Sequence, residues 1–324
     1  MDNSVLLTIL ADGEFHSGEE LGAQLGISRA AVWKQLHKLE VLELPVESIK
    51  GRGYRLVGGL DLLKVDKIRG LLPEAVASNL GELDIYPLVS STNDAAAEAI
   101  RVGRGRNYCC LAEQQSAGRG RRGRDWRSPF GRNIYLSMVW EFQSGAAALE
   151  GLSLSVGLAV VRALCSLGVN GAGLKWPNDI LHDNKKLAGI LLEMQGDPAG
   201  LCQVIVGVGL NVNLQGCDTG AITQPWTDLQ SIVGKLDRNQ LVAILIGELL
   251  KVQLEFTRDG FIHLRAEWCQ FDVFAGKQVR VQLGDNYIEG LARGVDASGG
   301  LVLETDAGER VFRGGEVSLR GALG

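Results

Sequence analysis

The chain has no apolar run near the roughly 18 residues that a membrane-spanning helix needs. It also lacks a basic leader, since MDNSVLLTIL places an Asp at position two. Both absences are those of a cytoplasmic protein. Histidine is scarce, with four in 324 residues, and the six cysteines (Cys109, Cys110, Cys165, Cys202, Cys217, Cys269) form no C-x-x-C pair. No zinc cluster can be drawn from such a set. Adjacent Cys109 and Cys110 have poor geometry for a disulfide, so the thiols read as buried small hydrophobes. A positive excess is missing too: 33 Lys and Arg face 38 Asp and Glu, a net charge of −5. Bulk charge therefore does not advertise nucleic-acid binding. Internal repeats and low-complexity segments are absent.

What is present suits two or three domains. Hydrophobic residues make up 46% and charged residues 22%, ordinary for a globular chain. Charge is unevenly placed, with nine arginines (101, 104, 106, 119, 121, 122, 124, 127, 132) against Glu113 and Asp125. Such a patch implies a local anionic partner, a phosphate or carboxylate.

Residues 1–65 read as a winged helix-turn-helix. Val5, Leu6, Ile9 and Leu10 start an amphipathic helix. Ser17-Gly-Glu-Glu20 is a capping box, and the helix it opens stops at Gly26. Ser28 caps the next helix, whose buried stripe is Ala31, Val32, Leu36 and Leu39. A hairpin over 47–56 with a Lys-Gly-Arg-Gly tip forms the wing. Ser28, Arg29, Lys34 and Lys38 on the recognition helix, with Lys50 and Arg52 on the wing, are the candidate DNA contacts.

Residues 58–68 read as a connector, and 66–271 as a central domain. Its strands are expected at 107–113, 133–140, 187–194 and 201–210, and its helices at 93–102, 151–168 and 237–257. The last is capped by Asp237 and runs apolar through Leu241, Ile244, Leu245, Leu249 and Leu254. This mixed α/β pattern lacks regular βαβ alternation, so the whole is an α+β multidomain protein. From 272 to 324, five short strands between Gly-rich turns suggest an SH3-like barrel.

Four segments carry chemistry. Gly118-Arg-Gly-Arg-Arg-Gly123 matches G-x-G-x-x-G, yet runs into Arg-Asp-Trp-Arg-Ser-Pro129. No helix opens there, which argues against a dinucleotide fold. Its arginines suit a flexible anion clamp. Lys175-Trp-Pro-Asn-Asp179 places an extended strand exit at the Trp-Pro pair, and with Lys186 it offers compact positive charges for phosphates. Ser90-Ser-Thr-Asn-Asp94 offers short donors and acceptors at a helix start, and Gly207-Val-Gly-Leu-Asn211 lets a flat ring lie close.

Ser91-Thr92-Asn93, Gln115-x-x-Gly118-Arg-Gly-Arg121, Lys175-Trp-Pro-Asn-Asp179, Lys186-Leu-Ala-Gly189 and Gly207-x-Gly-x-Asn211 stand in the order and spacing of biotin–protein ligases. With the winged helix in front, the chain resembles the bifunctional biotin ligase and biotin operon repressor family over nearly its whole length. The resemblance implies a class II synthetase-like central domain that makes biotinyl-5′-AMP from ATP and biotin, with Mg²⁺, and passes biotin to a carrier-protein lysine. It implies biotin contacts at Ser91, Thr92, Asn93, Gln115, Arg119, Gly120, Arg121 and Lys186. Nucleotide contacts fall on Arg121, Arg124, Trp126, Lys175, Asn178, Asn211 and Arg320, with Lys186, Arg121 and Lys175 as catalytic groups. No protein metal cage is expected. Biotin carboxyl carrier protein, operator DNA and a second copy of the chain are the implied partners. The segment 214–228 matches no fixed motif. The alternatives are a lipoate–protein ligase, disfavoured by the Arg loop and Lys-Trp-Pro-Asn-Asp, and a ligand-sensing repressor without turnover, disfavoured by the intact Arg and Lys set.

Overall fold

A computed structural model describes residues 4–39, 42–143, 149–196, 201–283, 286–313 and 317–321. In the head, α1 (Ser4–Leu10), α2 (Gly18–Leu25) and α3 (Arg29–Leu39) precede a hairpin of β1 (Val46–Ile49) and β2 (Gly53–Leu56). The Ser17–Glu20 capping box forms in both directions, and Gly26 ends α2 in the left-handed region that its missing Cβ permits. Leu6, Leu10, Leu21, Val32, Leu36, Leu39 and Leu56 build a core of their own. Val5, expected on the buried face of α1, is 52% exposed.

The connector is not featureless. Its second half is helix α4 (Val65–Leu71), which buries Ile68; α5 (Glu74–Ala77) follows. Asp61 to Lys64 are sewn to the start of α9 (Arg238–Asp259). Leu63 N–H donates to Glu113 Oε1 (2.7 Å) and Lys64 N–H to Asn239 Oδ1 (2.8 Å). Arg238 donates to Glu113 Oε2 (2.8 Å) and to the Asp61 and Asn133 carbonyls, and both charged side chains are buried. Phe130, from the end of the Arg-rich segment, packs into the head core with Leu60 and Leu62. Arg127 also pairs with Glu43 of the head. The Arg-rich segment therefore touches both units.

The central sheet has seven strands: β3 (Leu83–Tyr86), β4 (Cys109–Ala112), β5 (Ile134–Phe142), β6 (Ala172–Lys175), β7 (Asp179–His182), β8 (Lys185–Gly196) and β9 (Cys202–Leu210). Their order is β3-β4-β5-β9-β8-β7-β6, with only the β3–β4 pair parallel. Helix α7 (Leu152–Ser166) and α9 pack on one face. Helix α6 (Thr92–Arg101) packs on the other, through Ala96 and Ala99 against Cys110, Val139 and Ile205. Leu254 of α9 is 60% exposed, on the outer face of a helix whose Val252 and Phe256 stay buried. Strands β3, β6 and β7 and helix α10 (Phe261–Gln270) add to the elements expected from sequence.

The C-terminal unit is one antiparallel sheet, order β13-β12-β11-β10-β14, of β10 (Gln278–Leu283), β11 (Asn286–Val295), β12 (Leu301–Thr305), β13 (Gly308–Phe312) and β14 (Val317–Gly321). It docks on the central domain: the buried Trp176 indole donates to the Gly299 carbonyl (2.9 Å). Of the cysteines, Cys109, Cys110 and Cys202 are buried and all six are free, but Cys165 is exposed, contrary to the uniform burial expected. Burial pushes the Cys110 thiol up to about 12, with Asp84 adding to the effect, so it is no nucleophile at neutral pH.

Candidate active site

The site is built on a single row across five strands. Pairing sets Tyr135, Gly209, Gly189, Asp179 and Lys175 side by side. Two neighbouring glycines in that row open a trough in the sheet face, and the Trp126 indole fills its roof. A methyl group at Gly209 would lie 2.5 Å from the indole. One at Gly207 would collide with the Asn93 side chain. The flat ring that Gly189 and Gly209 admit is thus the protein's own tryptophan. Trp126 Nε1–H is buried with no hydrogen-bond partner among the described residues.

At one end of the trough stands the start of α6. Ser91 caps it, its hydroxyl accepting from Asn93 N–H (3.2 Å). Thr92 N–H donates to Gln115 Oε1 (2.8 Å), and Gln115 donates to Ser128 (3.0 Å). The Ser137 hydroxyl lies 2.6 Å from Asn93 Oδ1 and 2.8 Å from Thr92 Oγ1. Asn93 Nδ2 donates to Glu193 Oε2 (2.9 Å). Ser91, Thr92, Asn93 and Gln115 therefore converge, as the sequence suggests.

The Arg-rich loop is more ordered than a glycine-hinged clamp would be. Trp126 N–H donates to Gly118 O (2.8 Å) and Gly120 N–H to Arg124 O (2.7 Å), and Arg119 pairs with Asp125. It is a small hairpin with a 3₁₀ tip at Arg121–Gly123. Arg119 is held half-buried, forked onto Glu193 (3.1 Å) and bonded to Asp94 (2.6 Å). Those carboxylates hold its proton more firmly than usual, while the Arg119 contact lowers the Asp94 carboxyl below its ordinary 3.8. Arg121 reaches Asn178 Oδ1 (3.3 Å). Burial pulls its proton affinity down; Asp179 opposes this, and Arg122 and Arg124 add to it. Such a guanidinium gains from an arriving anion. Arg124 is exposed.

At the other end, Lys186 Nζ sits 2.7 Å from Asp179 and 5.4 Å from the Trp126 ring centre; Lys175 lies 3.9 Å from the same carboxylate. The Trp176–Pro177 peptide is cis and turns β6 into β7, so the pair makes a hairpin turn rather than the extended exit expected. Asn178 Nδ2 donates to Ile190 O (2.7 Å). Buried Asn211 bridges to Thr227 O (3.1 Å) and Lys186 O (3.4 Å). The segment 214–228 gains a role here: Pro225 O accepts from Lys186 N–H (2.9 Å) and Thr227 N–H donates back to Lys186 O (3.0 Å), which fixes the lysine's backbone. Gly120 lies on the inner arm of the hairpin. Arg320 is on β14 opposite Arg280, and its side chain lies outside the described residues.

Sequence reasoning missed Glu193, Asp94 and Asp179 as site members. Asp94 and Asp179 stood inside the motifs. Glu193 carried no local signal, since its partners are 74 and 100 residues away. The arginine patch also disperses: Arg101 pairs with Glu98, Arg104 with Glu82 and Asp84, and Arg127 with Glu43.

On the head, Ser28 caps α3 (Ala31 N–H to Oγ, 3.3 Å), and Arg29, Lys34, Lys38, Lys50 and Arg52 are all exposed. Arg52 stacks 4.2 Å over the Phe15 ring. Trp33, absent from the sequence-based set, is 52% exposed on the same helix and meets His37 edge-on at 4.4 Å.

The Biotin/lipoate A/B protein ligase family model matches residues 85–211, a biotin protein ligase C-terminal domain matches 274–320, and an HTH domain matches 3–55. The bifunctional ligase/repressor BirA of Escherichia coli is 40% identical over 325 residues, covering 99% of each chain. That of Bacillus subtilis is 31% identical, covering 95% of each. The chain belongs to the bifunctional biotin protein ligase/repressor family. Among solved structures, the Aquifex aeolicus biotin protein ligase in complex with biotin and ATP aligns with TM-score 0.65 at 29% identity, covering 74% of this chain and 99% of its own. Among the described residues of the ligase, no helix is long and apolar enough to cross a membrane.

Proposed function

We propose that the protein activates biotin with ATP, transfers it to a carrier-protein lysine, and represses biotin genes when the adenylate is bound. The polarity of the trough carries this reading. At the α6 end one guanidinium is outweighed by two carboxylates, Asp94 and Glu193, which suits the uncharged ureido ring of biotin and repels a carboxylate. At the other end Lys186, Lys175 and Arg121 outnumber Asp179, which suits biotin's carboxylate and the α-phosphate of ATP.

A biotin carboxylate oxygen attacks the α-phosphorus and pyrophosphate leaves. The cations offset the repulsion between the two anions and hold them in line. The unpaired Trp126 N–H and the indole face support the nucleotide role expected of that residue. The carrier lysine, as free amine, then attacks the acyl carbon and AMP leaves. No enzyme nucleophile is needed, consistent with the missing Ser-His or Cys-His signature. Among the described residues no three His, Cys, Asp or Glu are grouped to hold a metal. Mg²⁺ arriving with ATP would shield the phosphate charge alongside Lys175, Lys186 and Arg121.

The C-terminal sheet in this reading is an SH3-like barrel and the central domain a class II synthetase-like fold, with domains at 1–65, 66–271 and 272–324. The protein works in the cytoplasm. Biotinyl-AMP acts as corepressor: it favours a homodimer whose two heads grip a palindromic operator. Biotin-dependent exchange of labelled pyrophosphate into ATP tests the first half-reaction. Exchange with biotin and none with lipoate is expected; exchange with lipoate instead would replace the substrate assignment. Arg121→Gly is expected to release biotinyl-AMP faster than wild type, and an unchanged off-rate would count against the hairpin as its cover.

A further inference from the structure

The hairpin that roofs the trough must stay seated on the sheet, and its backbone has few ways to do so. From Gly118 to Trp126 its backbone hydrogen bonds run between its own arms, and only its base is tied elsewhere, through Ser116 and Ala117 N–H to the Val89 and Ser90 carbonyls (2.9 and 2.8 Å). The seat is made by side chains. Arg121 reaches the β6–β7 turn at Asn178, and Trp126 lies on the glycine row. Arg119 is held from β8 by Glu193, whose two oxygens take Nε and one terminal nitrogen in a planar fork, the geometry that most restricts a guanidinium. The same Glu193 carboxylate accepts from the Asn93 amide, which holds the start of α6. One side chain thus ties the hairpin, the helix start and the sheet together at the carboxylate-rich end of the trough.

We infer that Glu193 is a positioning residue for biotin binding: it latches the Arg119 hairpin and fixes the Asn93 amide, with Asp94 as an auxiliary partner. It does not act on the reacting atoms, since Lys175, Lys186 and Arg121, the groups assigned to the carboxylate and phosphate, lie at the opposite end. The inference rests on the biotin reading above for its kinetic consequence, but the latch itself can be read without any ligand. Orientation of the Asn93 amide follows from the same contacts: Glu193 takes its NH₂ and Ser137 approaches its oxygen, so only one flip state satisfies both.

Glu193→Gln and Glu193→Ala separate the two jobs. Glutamine keeps an acceptor for Asn93 but loses the charge that grips Arg119; alanine loses both. For Glu193→Gln the expected result is a rise of about tenfold in KM for biotin, with KM for ATP and kcat changed by less than about threefold. Alanine should exceed that. Arg119→Ala should raise the biotin KM too, and adding Glu193→Gln to it should have little further effect, since the two share one interaction. The ligand-free readout is tryptic cleavage after Arg121, Arg122 and Arg124, which should quicken about tenfold in Glu193→Gln as the hairpin opens more often. Asp94→Asn, which leaves the fork intact, should move both readouts in the same direction by less, and it serves if the Glu193 variants do not fold.

Unchanged biotin KM and unchanged nicking would overturn the latch. So would additive effects of Glu193→Gln and Arg119→Ala, or a lowered melting temperature with the kinetic split absent. If wild type fails to adenylate biotin while Glu193→Gln still speeds nicking, the substrate reading has failed and the latch has survived.

Discussion

At the scale of the residue, the site works by how charge is distributed along the trough rather than by how much is present. The nine-arginine segment looks like an anion sink, yet Arg101, Arg104, Arg119 and Arg127 are matched by carboxylates. Near the sheet, Arg121, Lys175 and Lys186 gather around the single carboxylate of Asp179. Lys186→Ala should therefore lower the rate of biotin-dependent pyrophosphate exchange by about 10²–10³, the usual cost of removing one preorganised donor to a developing charge. A drop of less than threefold would remove Lys186 from the catalytic set. Gly209→Ala sets a methyl 2.5 Å from the Trp126 indole, so the ring must leave its seat. Quicker loss of bound biotinyl-AMP and a changed indole emission are expected; unaltered values of both would show that the roof is not needed. The Asp94 contact has a pH signature. Its carboxyl is lowered by Arg119, so the stabilisation is present above the ordinary value near 3.8 and is lost as pH falls through the lowered one. The difference in melting temperature between wild type and Asp94→Asn should thus hold steady from pH 7 to 5 and shrink in more acid buffer.

At the scale of the element, the recognition helix and the wing can be tested apart from catalysis. Lys34 and Lys38 are exposed on α3, far in sequence from the ligase motifs. Lys34→Ala should weaken operator binding and reduce the salt slope of log K by about one, while pyrophosphate exchange is unaffected. An unchanged slope would mean that Lys34 meets no phosphate. Long elements were legible in the chain because their signals repeat: α9 has an Asp cap and four turns of apolar periodicity, and β5, β8 and β9 are continuous apolar runs. Strands β3, β6 and β7 are four residues each, too short for alternation to show, and they exist because neighbours pair with them. Helix α10 left a fainter trace in Phe261, Leu264 and Trp268. The motifs gave both ends of the trough, but not the carboxylates that divide it into an acidic and a cationic half. Charge pairing over 74 or 100 residues has no sequence period.

At the scale of the whole molecule, three units are fastened by a few polar bolts in apolar seams. The buried Arg238–Glu113 pair ties the connector to α9 and to the loop before β5. Truncating Arg238 to alanine leaves Glu113 buried and unpaired, which should cost about 3–5 kcal/mol and lower the melting temperature. A well-packed apolar replacement of both partners should cost much less, and equal losses for the two variants would show that packing, not charge, is at stake. Phe130 and Arg127 carry the Arg-rich segment from the trough to the head, so the hairpin and the head are joined by one stretch of chain. The most direct test of the account is transfer of labelled biotin, with ATP, to a purified biotin-carrier domain, with lipoate in parallel. The account predicts ATP-dependent labelling of one carrier lysine by biotin and none by lipoate. Tight biotin binding with no labelling by either acid would contradict it and leave a sensor in place of an enzyme.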